Sequence, residues 1–292
     1  MASAMRIRTK DVSFSSGAEQ LTGRIFLPAD ENGWRHPAMV LVHGLGSGGN
    51  AMDQSARKLA RHGVVAFRFD QRGHGPGTSI YNGDSSDDVF AAAAFLRGER
   101  SVDADWVGVL GHSSGARDAI VACTKDPSLR ILVCTSTPSD IQMGGEEDSS
   151  FLKRTGVYET GAIADHVSRY PQDGPLPWLD RWPIRALSWI VGWARGYRLR
   201  VDWRATFEAW DRSRPSIAIT EMTPRATLFV HCENDHPSPV GGVEILFMKA
   251  SSPKELFVHP GGHHSSPLRR GKLRSAWVAW VTEQMVTHRQ PS

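Results

Sequence analysis

One pentapeptide near the middle of the chain constrains the fold more than any other feature. Residues 111–115 read GHSSG, which fits the pattern G-x-S-x-G, between a strand-like stretch at Val107 to Leu110 and a helix-like stretch at Ala116 to Thr124. A serine at a very tight strand-to-helix turn has strained backbone geometry, and only small neighbours leave room for that turn. The first amides of the following helix have no intrahelical partner, so they can receive an oxyanion. The pattern therefore predicts Ser113 as a nucleophile.

Short apolar runs alternate with helix-like segments along most of the sequence. This alternation favours an α/β fold with a mostly parallel central sheet of about eight strands and helices on both faces. A chain of 292 residues can bury one large core, and we expect a single domain over residues 1–292. The first two predicted strands read as an antiparallel hairpin. The predicted strands are Val12 to Phe14, Leu21 to Leu27, Ala38 to Val42, Val64 to Asp70, Trp106 to Leu110, Ile131 to Thr135, Ala226 to His231 and Leu256 to His259.

One long stretch breaks this alternation. From about Gly144 to Pro224 no strand is evident, and prolines separate helix-like pieces. We expect a helical cap insertion at about residues 144–218, over the carboxyl ends of the strands where such folds bind ligands. Its tryptophans form the core of the cap itself, or at least one indole lines a substrate pocket. These tryptophans are Trp178, Trp182, Trp189, Trp193, Trp203 and Trp210.

The overall charge excludes one large class of partner. The formal net charge is +3, from 34 Lys plus Arg against 31 Asp plus Glu, so no strong field attracts nucleic acid or an anionic membrane. The N-terminus has no apolar segment of the length that a secretory signal needs, and no stretch approaches 18 uninterrupted apolar residues. We therefore expect a cytoplasmic protein without membrane insertion and without a nucleic-acid partner.

No cofactor or metal is expected. Cys123, Cys134 and Cys232 are widely spaced and odd in number, which predicts neither a disulfide framework nor a metal site. The twelve histidines show no H-E-x-x-H spacing. No dinucleotide G-x-G-x-x-G follows the first strands, and the glycine-rich loop at residues 44–49 lacks the lysine of a P-loop.

Two downstream turns offer the partners that a serine nucleophile requires. A base must take the serine proton, and a carboxylate should orient that base. Asp235 follows the predicted strand ATLFVH, and the neighbouring histidines His263 and His264 follow the strand ELFVH. The order Ser, Asp, His, each just past a strand, lets three strand ends converge on one cleft. Asp140, which follows the strand ILVCTST, remains an alternative acid.

Four motifs beyond the pentapeptide resemble the α/β-hydrolase family, and together they extend over nearly the whole chain. LVHGLG at residues 41–46 resembles the family's HG segment, and FDQRGHG at 69–75 resembles its D-x-R-G-x-G turn. HCEND at 231–235 resembles the H-G-x-x-D stretch, with Cys232 where glycine is common, and PGGHH at 260–264 resembles P-G-x-x-H. The resemblance implies an α/β-hydrolase fold.

The resemblance also implies a role for each matching residue. Asp235 would be the triad acid and His264 the base, with His263 as the alternative if the register shifts by one residue. The amides of Leu45 and Ser114 would form the oxyanion hole. Asp70 and Arg72, with His43, His74 and His112, would be structural. The acidic residues at the start of a predicted helix, Asp84, Asp87 and Asp88, are expected to be solvated.

The implied activity is hydrolysis of a small-molecule carboxylic ester through an acyl-enzyme on Ser113, with no cofactor. The tryptophan-rich insertion favours an apolar or aromatic group in the substrate. The N-terminal stretch resembles that of carboxylesterases, dienelactone-hydrolase-like enzymes and serine peptidases, so a thioesterase or an amidase/peptidase remains an alternative. A non-catalytic ligand-binding protein on the same scaffold is the alternative of a different class. The sequence predicts no oligomeric state.

Overall fold

The structure is a computed structural model that describes residues 6–29, 33–75, 79–140, 164–166, 198–223 and 225–286. Eleven strands lie within these ranges. They are β1 (Ile7–Ser16), β2 (Glu19–Pro28), β3 (His36–Val42), β4 (Val65–Phe69), β5 (His74–Gly75), β6 (Val102–His112), β7 (Ile131–Thr135), β8 (Ala164–His166), β9 (Arg198–Val201), β10 (Ala226–Cys232) and β11 (Lys254–His259).

The same ranges contain one 3₁₀ turn and eight α-helices. They are η1 (Gly49–Met52), α1 (Asp53–Arg61), α2 (Ser86–Arg97), α3 (Ser114–Lys125), α4 (Trp203–Arg212), α5 (Pro215–Glu221), α6 (Val240–Lys249), α7 (Ser266–Arg269) and α8 (Gly271–Val286).

Eight strands form the central sheet in the order β1-β2-β4-β3-β6-β7-β10-β11. The hairpin of β1 and β2 pairs antiparallel, and β2 is also antiparallel to β4. All other pairs in this sheet are parallel. The predicted α/β-hydrolase fold with a mostly parallel sheet is confirmed, and the carboxyl ends of the parallel strands meet at one edge of the sheet.

Helices cover both faces of the sheet because its central strands are apolar on both sides. In β3, Ala38, Val40 and Val42 belong to one buried apolar cluster, while Met39 and Leu41 belong to the other. Successive side chains of a strand point to opposite faces, so a continuous apolar run needs a helical layer on each side. Helices α2 and α3 supply residues to the first cluster, and α1 and α8 supply residues to the second.

A second, three-stranded antiparallel sheet lies in the order β5-β9-β8. The prediction that no strand occurs between about residues 144 and 224 was therefore wrong at β8 and β9. These strands are only three and four residues long, and β9 forms by pairing with the turn that contains His74. Such pairing depends on tertiary contact rather than on a local apolar pattern.

Much of the expected cap lies outside the described residues. Within residues 144–218, the described part comprises β8, β9, α4 and the beginning of α5. Trp203 and Trp210 belong to this part, whereas Trp178, Trp182, Trp189 and Trp193 lie outside it. The helical cap insertion therefore stays a prediction.

A buried ion pair corrects one detail of the sequence interpretation. Asp88 is fully buried and accepts hydrogen bonds from the Arg72 guanidinium at 2.6 Å and from Ser16 Oγ at 2.7 Å. The expectation that Asp88 is solvated was therefore wrong, because its partners come from distant parts of the chain. Arg72 has the structural role that the resemblance implied.

None of the described helices combines the length and the apolar character that a transmembrane span needs.

Candidate active site

Ser113 occupies a strained turn between β6 and α3. Its φ of 54° and ψ of −127° place it in a backbone region that residues other than glycine rarely adopt. A Cβ at Gly111 would come within 2.4 Å of Ala116 Cα, and one at Gly115 within 2.3 Å of the His43 carbonyl oxygen. Only glycine fits at either position, which explains the small residues of the pentapeptide. This is the backbone geometry that a nucleophile elbow requires.

The loop after β3 runs directly beside the elbow. A Cβ built on Gly44 would lie 2.9 Å from Ser113 Cβ and 3.5 Å from Ser113 Oγ. The next residue, Leu45, donates its backbone N–H to Ser114 Oγ at 2.6 Å. The two residues predicted for the oxyanion hole are therefore neighbours, and the Leu45 amide has a side-chain partner.

Two buried histidines hold this loop against the turn after β4. His43 Nε2 accepts the backbone N–H of Gln71 at 3.1 Å, so its Nδ1–H donates to the Gly44 carbonyl at 2.9 Å. His74 Nε2 accepts the N–H of Gly46 at 3.2 Å. Burial lowers the pKa of His43 to about 4 and that of His74 to about 3. Both imidazoles are neutral at physiological pH, as these acceptor roles require.

An imidazole and a carboxylate meet where β10 and β11 end. His264 Nδ1 lies 2.8 Å from Asp235 Oδ1, and this carboxylate oxygen also accepts the backbone N–H of Ser238 at 3.0 Å. A carboxylate only accepts, so His264 carries its proton on Nδ1 and presents the lone pair of Nε2. Asp235 and His264 are buried, and the neighbouring His263 is exposed.

The imidazole of His264 lies close to the elbow. Its ring centroid is 5.0 Å from that of His112, the residue before Ser113. The hydrogen bonds of the described residues do not include one between Ser113 Oγ and His264. The carbonyl of His264 accepts a hydrogen bond from Ser136 Oγ, and Ser136 itself has a positive φ of 48°. Ser136 thus links the loop that carries His264, after β11, to the end of β7.

His112 is a neutral neighbour of His264. The hydroxyl of Thr135 donates to the Gly111 carbonyl at 3.1 Å, so the same oxygen accepts from His112 Nδ1–H at 3.0 Å. Burial and the nearby His264 lower the pKa of His112 well below its ordinary value. His112 therefore places no positive charge beside His264.

The alternative acid, Asp140, is engaged elsewhere. Its carboxylate accepts the backbone N–H of Ser216 at 2.9 Å and also the Ser216 hydroxyl, at the start of α5. Sequence reasoning missed the contacts of Ser136 and Thr135, because a serine or threonine after an apolar strand carries no specific signal.

The two described tryptophans of the expected cap lie in a small apolar cluster beside the loop after β3, residues 43–46, which carries the predicted oxyanion donor Leu45 and is called the oxyanion loop below. Trp203 and Trp210 are buried together with Tyr81, and Leu45 packs against the same cluster. They act as core residues, and this core extends to the loop next to Ser113. A separate cleft of about 450 Å³ opens beside Ser265, the residue after His264. It is lined by Asn50, Ala51, Gln54, Ser265, Leu268 and Arg269.

The described residues contain no group of three or more His, Cys, Asp or Glu side chains that could hold a metal ion. The three cysteines are free and buried.

Comparisons with known proteins give the family. The model of the alpha/beta hydrolase family matches residues 39–275, and the chain belongs to this family. The structure resembles that of the alpha/beta hydrolase GrgF from Penicillium sp. sh18, with a TM-score of 0.72, 16% identity and coverage of 95% of this chain and 99% of that chain. It also resembles an esterase of Pyrococcus furiosus, with a TM-score of 0.63, 16% identity and coverage of 96% and 94%.

One curated relative is named for a reaction other than ester hydrolysis. The thiohydrolase aneE of Aspergillus aculeatus is 28% identical over 124 residues, which is 39% of this chain and 36% of that protein. The chain thus matches only about a third of the length of that relative. Family membership indicates a hydrolase, and it does not by itself fix the bond that is cleaved.

Proposed function

We propose that the protein is a serine hydrolase that cleaves a small carboxylic ester through an acyl-enzyme intermediate. The observation that carries this proposal is the strained Ser113 at the start of α3, beside the hydrogen-bonded pair of His264 and Asp235. Strain of this kind persists only where the surrounding structure enforces it, and it is concentrated at functional sites. Ser113 is the nucleophile, His264 the general base and Asp235 the acid that orients it.

In the first half-reaction, Ser113 Oγ forms a bond to the carbonyl carbon of the ester. Its proton passes to His264 Nε2, and the electron pair of the carbonyl π bond moves to the oxygen. Asp235 stabilises the imidazolium through the Nδ1–H hydrogen bond. The tetrahedral intermediate then collapses, and the departing alcohol takes the proton from His264.

In the second half-reaction, a water molecule attacks the acyl-enzyme. His264 takes a proton from that water and returns it to Ser113 Oγ as the carboxylic acid leaves. The Ser114 amide, in the first turn of α3, is an oxyanion donor and would stabilise the alkoxide in both half-reactions. The Leu45 amide, the other predicted donor, hydrogen-bonds to Ser114 Oγ. The reaction is complete without a metal or an organic cofactor.

An apolar or aromatic group is the favoured substrate feature. The cluster of Tyr81, Trp203 and Trp210 packs against Leu45, so the oxyanion loop has apolar side chains behind it. Leu45 itself is partly exposed, so an apolar acyl or alcohol group would gain from transfer out of water beside its side chain.

Thioester hydrolysis is the second candidate. It is favoured by the relative that is named a thiohydrolase. The same nucleophile and base serve both reactions, because the attacked carbonyl carbon is the same and only the leaving group changes.

Turnover of three substrates with one acyl group tests the function. We expect the wild-type protein to hydrolyse p-nitrophenyl butyrate faster than the butyryl thioester of N-acetylcysteamine, and both faster than butyryl p-nitroanilide. Ser113→Ala should lower kcat/KM at least about 10⁴-fold. Ser128→Ala, at an exposed serine outside the site, is the matched control and should keep wild-type activity.

Two results would change the assignment. A thioester turned over faster than the ester would favour the second candidate. A folded wild-type protein that hydrolyses none of the three substrates, yet binds apolar esters, would indicate a ligand-binding protein instead of an enzyme.

A further inference from the structure

The side chain of Ser114 stands where the oxyanion hole is proposed. Its hydroxyl oxygen accepts the Leu45 N–H at 2.6 Å, and the residue is 7% exposed. The loop that carries Leu45 also brings Gly44 against Ser113. The Leu45 amide is therefore engaged before any substrate arrives, and a substrate oxygen would meet the Ser114 hydroxyl at the same place.

The hydroxyl proton of Ser114 has no acceptor among the described residues. Because its oxygen accepts from the Leu45 amide, the hydroxyl can still donate one hydrogen bond. The backbone N–H of Ser114 lies in the first turn of α3, where amides have no intrahelical acceptor. The residue that follows the nucleophile thus offers two donors, one from the backbone and one from the side chain.

A hydroxyl that accepts a hydrogen bond becomes a better donor. The amide dipole of Leu45 draws electron density from Ser114 Oγ, and this polarisation strengthens the bond that Oγ–H makes in turn. The effect is largest in a site shielded from water, where electrostatic interactions are least screened.

We propose that the Ser114 hydroxyl is a catalytic donor to the oxyanion, polarised by the Leu45 amide. This inference rests on the proposed acyl-enzyme reaction at Ser113. As the Ser113 Oγ–carbon bond forms and its proton moves to His264, the carbonyl oxygen gains negative charge. Ser114 then donates both its N–H and its Oγ–H to that oxygen. Its own proton stays on Oγ throughout, so the balance of the reaction is unchanged.

Replacement of the hydroxyl tests the proposal. Ser114→Ala should lower kcat by about 10- to 100-fold and leave KM within about threefold of wild type. Loss of a single oxyanion donor costs about 10²- to 10³-fold in kcat, and release of the Leu45 amide offsets part of that loss. Ser114→Thr retains the hydroxyl and should recover most of the activity.

A transition-state analogue separates catalysis from a structural role. An aryl trifluoromethyl ketone adds to a serine nucleophile and leaves an anionic oxygen in the oxyanion hole. Its inhibition constant should rise in Ser114→Ala by the factor by which kcat/KM falls. Thermal melting establishes that the variant is folded, and stoichiometric labelling of Ser113 by a fluorophosphonate after long reaction establishes that its nucleophile is intact.

The outcomes distinguish this inference from the function on which it rests. Activity lost in Ser113→Ala but unchanged or raised in Ser114→Ala would overturn the role of the hydroxyl alone. An unchanged inhibition constant in Ser114→Ala would do the same. Wild-type protein that neither turns over esters nor reacts with the fluorophosphonate would overturn the proposed function, and this inference with it.

Discussion

At the residue scale, the choice of acid decides how His264 works. Asp235 and Asp140 both follow strands of the parallel sheet, and both could be triad acids on sequence order alone. Asp235 accepts the His264 Nδ1–H, whereas Asp140 accepts the hydroxyl and amide of Ser216. The hydrogen bond to Asp235 fixes the tautomer that leaves Nε2 able to take a proton.

Substitution of the two acids should therefore give opposite results. Asp235→Asn should lower kcat about 10³- to 10⁴-fold, because an amide in that place favours the wrong imidazole tautomer. Asp140→Asn should change kcat less than threefold, although it weakens the contact with Ser216. Steady-state kinetics on the ester with both purified variants make the comparison. A large fall in kcat for Asp140→Asn alone would indicate that Asp140, and not Asp235, is the acid.

At the element scale, the strand, turn and helix around Ser113 need glycine on both sides. Gly115 sits in α3 with no room for a side chain, since its Cβ would lie 2.3 Å from the His43 carbonyl oxygen. Gly241 sits in α6 with nothing within 4 Å of its Cβ position. The two helical glycines thus differ only in their surroundings.

This contrast predicts opposite effects of one substitution. Gly241→Ala should raise the free energy of unfolding by about 0.5 to 1 kcal/mol, the usual helix preference for alanine. Gly115→Ala should lower both the melting temperature and the ester activity, since the oxyanion loop must move away from the elbow. Thermal melting and turnover measured on both variants check this. A Gly115→Ala protein with wild-type activity and stability would show that the turn is not tightly packed.

The contact between the oxyanion loop and the turn after β4 should make the stability of the fold depend on pH. The folded pKa values of His43 and His74, about 4 and about 3, lie below the value of about 6.5 for an unfolded chain. As the pH falls below 6.5, the unfolded state binds protons that the folded state does not. Stability is therefore full above pH 6.5 and is lost progressively as the pH falls towards 4.

His74→Gln should reduce this loss, because a glutamine oxygen can accept the Gly46 N–H but cannot titrate. We expect the slope of the unfolding free energy against pH, between 6.5 and 4, to fall by up to about 1.4 kcal/mol per pH unit. Urea unfolding at several pH values measures it. His62→Gln, at an exposed histidine, is the control and should leave the slope nearly unchanged. Equal slopes in wild type and His74→Gln would contradict the assignment.

At the scale of the whole molecule, one buried arginine joins α3, the helix that follows Ser113, to the region of the expected cap. Arg117 lies on α3 and is paired with Asp118 at 2.8 Å. Its guanidinium also donates to the carbonyls of Gly83 at 2.8 Å and Ala209 at 3.1 Å, and to the Ser213 hydroxyl. Burial raises the pKa of Asp118 to about 7, although the charge of Arg117 opposes that rise. Through Ala209 and Ser213, the guanidinium contacts the C-terminal end of α4.

Removal of this arginine should loosen α4. Arg117→Met should lower the free energy of unfolding by about 3 to 5 kcal/mol, as expected when one partner of a buried pair is lost. Amide hydrogen exchange over residues 203–213 should accelerate more than over the central strands. Arg204→Ala removes an exposed pair with Glu208 in the same helix and should leave exchange unchanged. Uniform exchange rates in Arg117→Met and wild type would rule out the proposed link.

The sequence predicts the central sheet well because each parallel strand is an apolar run that needs no distant partner to be identified. Prediction from the sequence fails where a strand or a buried contact forms only through residues that are distant in the chain. Strand β9 forms against the turn at His74, and Asp88 is buried because Ser16 and Arg72 reach it. Within the site, the motifs predict Ser113, Asp235 and His264. The partner of the Leu45 amide depends on a side-chain direction that no motif records.

Reaction with a fluorophosphonate, followed by mass mapping of the modified peptide, tests the central claim most directly. The reagent bonds only to a hydroxyl that is activated and placed beside an oxyanion hole. We predict one adduct on Ser113 in the folded wild-type protein, and labelling at least about 100-fold slower in His264→Ala, where the base is absent. No adduct on Ser113 in folded protein, or equal rates in both proteins, would contradict the account.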